Sequence, residues 1–168
     1  MKNLYLCGFM GAGKTTVAKA LSKRLELPCY DTDDLIVLQA GMPIPAIFSK
    51  EGEEGFRRRE TACLRQLGGQ SGAVIATGGG LVMNPKNVEI MKNQGILVFL
   101  DAPFELCYLR IHGDKNRPNA ASRTKEELYA LYRERKTVYR KASDAVIACR
   151  NRLAPVLNQL EQLYKENE

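Results

Sequence analysis

Eight residues near the N-terminus, Gly8-Phe-Met-Gly-Ala-Gly13-Lys14-Thr15, carry the spacing GxxxxGK[ST]. Glycines so placed let the backbone curl until successive N–H groups and the start of a helix face one phosphate. A lysine directly after the last glycine reaches the β- and γ-phosphates, and the hydroxyl that follows suits Mg²⁺. The flanks that this chemistry needs are present, since a strand pattern ends at Cys7 and a helical pattern begins near Lys14. A glycine turn that precedes a helix by coincidence is the plain alternative, and at average residue frequencies it is rare in a chain of this size. Nucleotide binding is expected here.

A phosphate loop says nothing about the acceptor, so the remaining chemistry must come from elsewhere. Asp31-Thr32-Asp33-Asp34 follows a short strand pattern, at the sheet edge where open α/β folds bind ligands. One carboxylate there can hold Mg²⁺ through water, and another can accept the proton of an attacking hydroxyl. Capping of the next helix is the competing explanation. In the segment 56–67, Phe56, Glu60, Cys63, Leu64 and Leu67 share one stripe, so Glu60 is core-facing, with Arg57 three residues earlier beside it. A carboxylate in that position requires a partner, and holding the Arg57 guanidinium supplies one. A later helix opens on the capping box Thr124–Glu127, and Arg135 falls in its apolar stripe of Leu128, Leu131, Tyr132, Val138, Tyr139 and Ala142. An inward arginine needs an anion, from the protein or from a ligand, unless it snorkels to the surface. Thr77-Gly78-Gly79-Gly80 closes another strand, where glycines permit close backbone approach by a ligand, a plain flexible turn being the commoner alternative. Residues 113–123, with Arg117 before Pro118, read as a flap that carries arginine to a transferring phosphoryl group, with a plain solvated loop as the alternative.

These residues need a scaffold, and the chain alternates to provide one. Asn3–Cys7, Ala73–Ala76, Gly95–Leu100 and Ala145–Ala148 are apolar runs of the kind found in strands covered on both faces, and Cys29–Tyr30 is a shorter one. Between them lie helical patterns, Val17, Leu21 and Leu25 in one and Leu153, Val156, Leu157, Leu160 and Tyr164 in another. Strands separated by helices imply an α/β fold of three layers, a parallel sheet between helices. With 168 residues, 45% of them hydrophobic, one domain over 1–168 is expected. The net charge of +6 resides in residues 110–152, which hold 12 basic and 5 acidic side chains. Its arginines are isolated, without a basic run or interleaved aromatics, so small anions fit better than nucleic acid. The cysteines at 7, 29, 63, 107 and 149 form no CxxC pair, which argues against a zinc knuckle or a disulfide framework and for free thiols in a reducing cytoplasm. No apolar run reaches the roughly 18 residues of a membrane helix.

Together the ordered set GFMGAGKTT (8–16), DTD (31–33), FRRRE (56–60), TGGG (77–80), Arg117-Pro118, and Arg135 with Tyr139 resembles the shikimate kinase family from Gly8 to about Pro155. The resemblance implies a P-loop fold with five parallel strands in the order 2-3-1-4-5, substrate-binding helices at about 31–66 and a mobile lid at about 112–124. It implies transfer of the ATP γ-phosphate to the 3-hydroxyl of shikimate, on the route to aromatic amino acids, by a monomer that uses one Mg²⁺ and binds neither nucleic acid nor membrane. Carried over, Gly11, Ala12, Gly13, Lys14, Thr15 and Thr16 hold the phosphates, and Arg110, Arg152 and Pro155 flank the adenine. Thr15 binds Mg²⁺ directly and Asp31 does so through water. Lys14, Asp33 and Arg117 are catalytic, with Asp33 on the acceptor hydroxyl. Arg57 and Arg135 take the carboxylate, while Gly78, Gly79 and Gly80 lie against the acceptor. Glu60, Phe48 and Phe56 support them. The chain departs from the family pattern at Asn119-Ala120, where two leucine-like residues are common, and at Thr137, where many members have proline. The inward arginines alone do not separate shikimate from a sugar acid such as gluconate; the full motif set favours shikimate.

Overall fold

All five residues of Asn3–Cys7 (β1) are buried, a pattern that a strand sustains only where both faces of its sheet are covered. The computed structural model describes residues 1–112 and 118–168. After β1 come α1 (Lys14–Leu25), β2 (Cys29–Asp31), α2 (Thr32–Ala40), α3 (Ile44–Leu67), β3 (Val74–Ala76), a 3₁₀ turn at Leu81–Met83 and α4 (Pro85–Gln94). β4 (Gly95–Asp101), α5 (Phe104–Ile111), α6 (Pro118–Ala121), α7 (Lys125–Ala142), β5 (Ala145–Ala148) and α8 (Leu153–Glu166) complete the order. The strands stand as β2-β3-β1-β4-β5, all parallel, with Tyr5 opposite Ile75 on one side and Leu97 on the other. The expected α/β architecture and strand order are those observed.

From β1 the chain builds β2 and β3 on one side and then crosses to β4 and β5 on the other. The strand order reverses at β1, and the crevice outside the carboxyl ends at such a point is where open sheets bind ligands. The glycine-rich loop leaves β1 there, Asp31 ends β2, and 77–80 follow β3. Val17, Ala18 and Leu21 of α1 are buried, and the helix packs on β3 and α8. α8 buries Val156, Leu157, Leu160 and Tyr164, whereas Leu153 at its start is exposed.

Some boundaries differ from the sequence reading for visible reasons. β3 begins at Val74 because the Ala73 N–H is taken by the Asn3 side chain at 3.0 Å. α3 is two helices joined at Gly52, whose φ of 74° and ψ of 178° interrupt the ladder. Arg59 clasps Glu51 across that break with bonds of 2.9–3.1 Å. The second half buries Phe56, Glu60, Cys63, Leu64 and Leu67, the stripe expected. The α7 capping box is present in both directions. Its buried stripe is narrower than expected, Leu128, Tyr132, Arg135 and Tyr139, with Leu131, Val138 and Ala142 only partly covered. The five thiols are free, and burial pushes those of Cys7, Cys63, Cys107 and Cys149 up to about 11, which keeps them protonated.

Candidate active site

The loop between β1 and α1 is shaped by glycines that no other residue would replace cheaply. Gly11 and Gly13 have φ of 79° and 96°, in the left-handed region that side chains disfavour. Gly13 is also the N-cap of α1, so the first amides of that helix open toward the loop. A Cβ on Gly11 would lie 2.7 Å from the Cys107 carbonyl oxygen, because α5 packs directly behind the loop. Arg110 of α5 donates to the Gly11 carbonyl at 2.9 Å and so holds the loop from outside. Lys14 Nζ folds back over the loop to donate to the carbonyls of Gly8 at 2.6 Å and Phe9 at 3.1 Å.

Asp31 does two things at once. Its Oδ1 accepts from the amides of Asp33 and Asp34 at 2.9 and 3.2 Å, capping α2. Its Oδ2 accepts from the Thr15 hydroxyl at 2.6 Å. The capping explanation holds for Oδ1, while Oδ2 is turned to Thr15 beside the phosphate loop. The Thr15–Asp31 pair stands in a cleft of about 730 Å³ that Gly11–Val17, Asp33, Thr77 and Gly79 also line. Arg110, Arg152 and Cys149 line the same cleft. Pro155 is exposed and does not line it; Leu153 and Val156 form that wall instead, because a helix turns the third residue after its N-cap away from the face shown by the first and fourth.

Behind the cleft, the three glycines after β3 bring four charged side chains together. A Cβ on Gly78 would stand 2.8 Å from Asp33 Oδ1 and 2.9 Å from Glu60 Oε2. One on Gly79 would be 3.4 Å from Arg135, and one on Gly80 would be 2.5 Å from the Arg57 guanidinium. The run is packed from α2, α3 and α7 rather than being a loose turn. Thr32, fully buried, accepts from the Gly78 N–H at 2.9 Å and ties the start of α2 to it. This tie was not anticipated: a threonine between two aspartates reads as part of the acidic motif until the fold sets it under β3.

Glu60 is fully buried, and its Oε1 accepts from Arg57 at 2.6 Å, as its place in the stripe suggested. Oε2 has no hydrogen-bond partner among the described residues. Burial raises this carboxyl to about 7, offset in part by Arg57 and Arg135 and reinforced by Asp33. The Arg57 guanidinium also lies over Phe56 at 5.4 Å, and Phe56 leans on Phe48 with ring centroids 4.9 Å apart. Arg135 is only 7% exposed and makes no ion pair with a carboxylate among the described residues. The fold therefore brings together Lys14, Asp31, Asp33, Arg57, Glu60, Gly78–Gly80 and Arg135. Arg57, Gly78, Gly80 and Arg135 stand behind the cleft lining rather than on it. Arg117 lies outside the described residues, as do residues 113–116 of the expected flap. Ala120, at one departure from the family pattern, is buried. Thr137, at the other, is exposed and returns its hydroxyl to the Arg133 carbonyl at 3.2 Å.

A phosphate loop at the switch point of a parallel sheet, with carboxylates, a buried arginine and a partly buried one close by, defines a P-loop phosphotransferase. The family model for shikimate kinase matches residues 10–165. A shikimate kinase of Cupriavidus pinatubonensis is 46% identical over 86% of this chain and 76% of its own. The structure of shikimate kinase from Acinetobacter baumannii in complex with shikimate covers 100% of this chain and 95% of its own, at 38% identity and a TM-score of 0.91. That of Aquifex aeolicus covers 98% and 97%, at 36% and 0.86. The chain belongs to the shikimate kinase family. It is accordingly a kinase that phosphorylates shikimate in the aromatic pathway, with ATP as co-substrate.

Proposed function

We propose that the chain transfers the ATP γ-phosphoryl group to the 3-hydroxyl of shikimate with the following division of labour. The amides of Gly11–Thr16 and the start of α1 receive the phosphates, and Lys14 swings from the loop carbonyls onto the β- and γ-groups. Arg110 and Arg152, which line the same cleft, flank the nucleotide. Asp33, beside Gly78, orients the acceptor hydroxyl and takes its proton as the O–P bond forms. Arg57, held by Glu60, and Arg135 bind the acceptor carboxylate, and Gly79 approaches a ring hydroxyl. Arg117 closes from the lid on the transferring group. In-line transfer leaves the protein little covalent chemistry, so positioning and charge do the work.

The donor set suits Mg²⁺. A threonine hydroxyl and a carboxylate oxygen 2.6 Å apart beside the phosphate loop are hard oxygen ligands. Mg²⁺ in such sites keeps several waters and is held by one or two protein oxygens and the substrate phosphates. Thr15 would hold one ion directly and Asp31 through water, and the ion would neutralise charge on the β- and γ-oxygens. We further read the protein as a cytoplasmic monomer whose partners are shikimate and ATP. Its free, protonated thiols suit a reducing compartment. Among the described residues no helix is long and apolar enough to cross a membrane.

The observation that carries the reading is Arg135, a guanidinium nine-tenths buried that makes no ion pair with a carboxylate among the described residues. A buried charge of that kind is tolerable where an anion arrives to pair with it. ADP release measured with Mg²⁺ and ATP against shikimate, gluconate, nucleoside monophosphates and no acceptor tests this. Turnover should be confined to shikimate; equal or greater turnover of gluconate or a nucleoside monophosphate overturns it.

A further inference from the structure

Tyr139 stands one helical turn after Arg135 on the buried face of α7, where residues four apart meet. Its side chain is 1% exposed, and its hydroxyl donates to the carbonyl oxygen of Gly79. The Arg135 guanidinium lies against the same hydroxyl, and both approach the Gly79 Cα, at 3.4 Å for Arg135 and 3.6 Å for the tyrosine oxygen from the place a Cβ would take. The ring itself packs on Phe99 of β4, with centroids 5.2 Å apart. A hydrophobic ring would fill this space equally well. The hydroxyl is the part that packing does not explain, because a buried O–H must find an acceptor, and the one it finds is the glycine facing the acceptor side.

We propose that Tyr139 is a positioning residue for the acceptor site, its hydroxyl joining the Gly79 backbone to the Arg135 guanidinium and so setting the distance between the group that reads a ring hydroxyl and the group that reads the carboxylate. This rests on the reading of Arg135 and Gly79 as acceptor-binding groups. Without the bond, Gly79 and Arg135 are held by separate elements, β3 and α7, and the acceptor must bring them into register itself. The loss falls on acceptor binding and leaves the nucleotide side intact.

Steady-state kinetics of the full chain test this with Tyr139→Phe, Arg135→Ala and the two combined. Tyr139→Phe should raise KM for shikimate about three- to tenfold, the range of one net hydrogen bond. KM for ATP and kcat should stay within about twofold, with the thermal midpoint near that of the parent. In the Arg135→Ala background the second substitution should add less than about twofold, because partners in one network are not additive. An unchanged KM for shikimate in Tyr139→Phe overturns the proposal, as does an equal rise in both backgrounds. An unfolded variant, or KM for ATP, kcat and thermal midpoint worsening together, would make Tyr139 a core residue and nothing more. If the parent chain itself turned over no shikimate, the functional reading would fail first, a result distinct from any of these.

Discussion

The end of the site proposed for the phosphates is made by consecutive residues, Gly8 to Thr16, whereas the end proposed for the acceptor draws Asp33, Arg57, Glu60, Gly78–Gly80 and Arg135 from four separate stretches of chain. The first region works mainly through backbone, its geometry set by glycines with positive φ and by the start of α1. The second works through side-chain charges taken out of water, with Glu60 fully buried and Arg135 nearly so. Backbone amides cost nothing extra to keep in place once the loop is folded. Buried charges have to be balanced by one another or by a ligand. Nucleotide binding should therefore tolerate changes that destroy acceptor binding, and the converse should hold.

The largest test of that separation exchanges damage between the two ends. Lys14→Ala should lower kcat by about 10² to 10³, the scale of removing one donor aimed at developing charge, while calorimetry finds shikimate affinity little changed. Arg135→Ala should weaken shikimate binding by about ten- to a hundredfold, since a hydrogen bond to a charged group is worth about 1.5–3 kcal/mol, with ATP affinity near normal. If either substitution moved both affinities equally, the two ends would be one coupled unit.

Gly78→Ala sharpens the comparison from within the acceptor end. The added methyl would meet Asp33 and Glu60 oxygens at 2.8 and 2.9 Å. Overpacking of this kind costs about 1–3 kcal/mol, to be read by denaturant unfolding together with a raised KM for shikimate. A variant as stable as the parent, with unchanged KM, would mean that these carboxylates are not wedged against the glycine.

The smallest expected effect is a dependence on pH. Burial lifts Glu60 from about 4.5 to about 7, so the folded chain holds this proton more tightly than the unfolded one. Its contribution to stability is then fully present below about 4.5 and declines as pH rises to about 7. Acceptor binding should move the opposite way, because Arg57 is held best by the carboxylate form. KM for shikimate should fall as pH rises from about 6 to about 8, and Glu60→Gln should flatten that slope and raise KM at the upper end. An identical pH profile in the parent and the glutamine variant would remove Glu60 from the acceptor site.

Much of this was legible before any fold was known. The phosphate loop declared itself because the function proposed for it is local: the glycines, the lysine and the threonine would act within one turn of chain, so their spacing is their geometry. Strand runs and helix stripes were readable for a similar reason, since burial on one or both faces leaves a period in the residues. Glu60 and Arg135 could be singled out as charges on apolar stripes, and Arg57 as the neighbour of Glu60. What α3 does at Gly52 was not readable, because the same glycine is compatible with a continuous helix. Nor was the choice of Leu153 and Val156 over Pro155 in the cleft wall, which depends on how α8 is rotated against α1. The sequence by itself determined the phosphate cradle, the alternation of strands and helices, and which charges had to face inward. Only the tertiary structure decided that Thr32, Tyr139 and three glycines would hold those charges around one point, because contacts between residues 32 and 78, or 79 and 139, leave no period along the chain and exist only once a parallel sheet has aligned the ends of its strands.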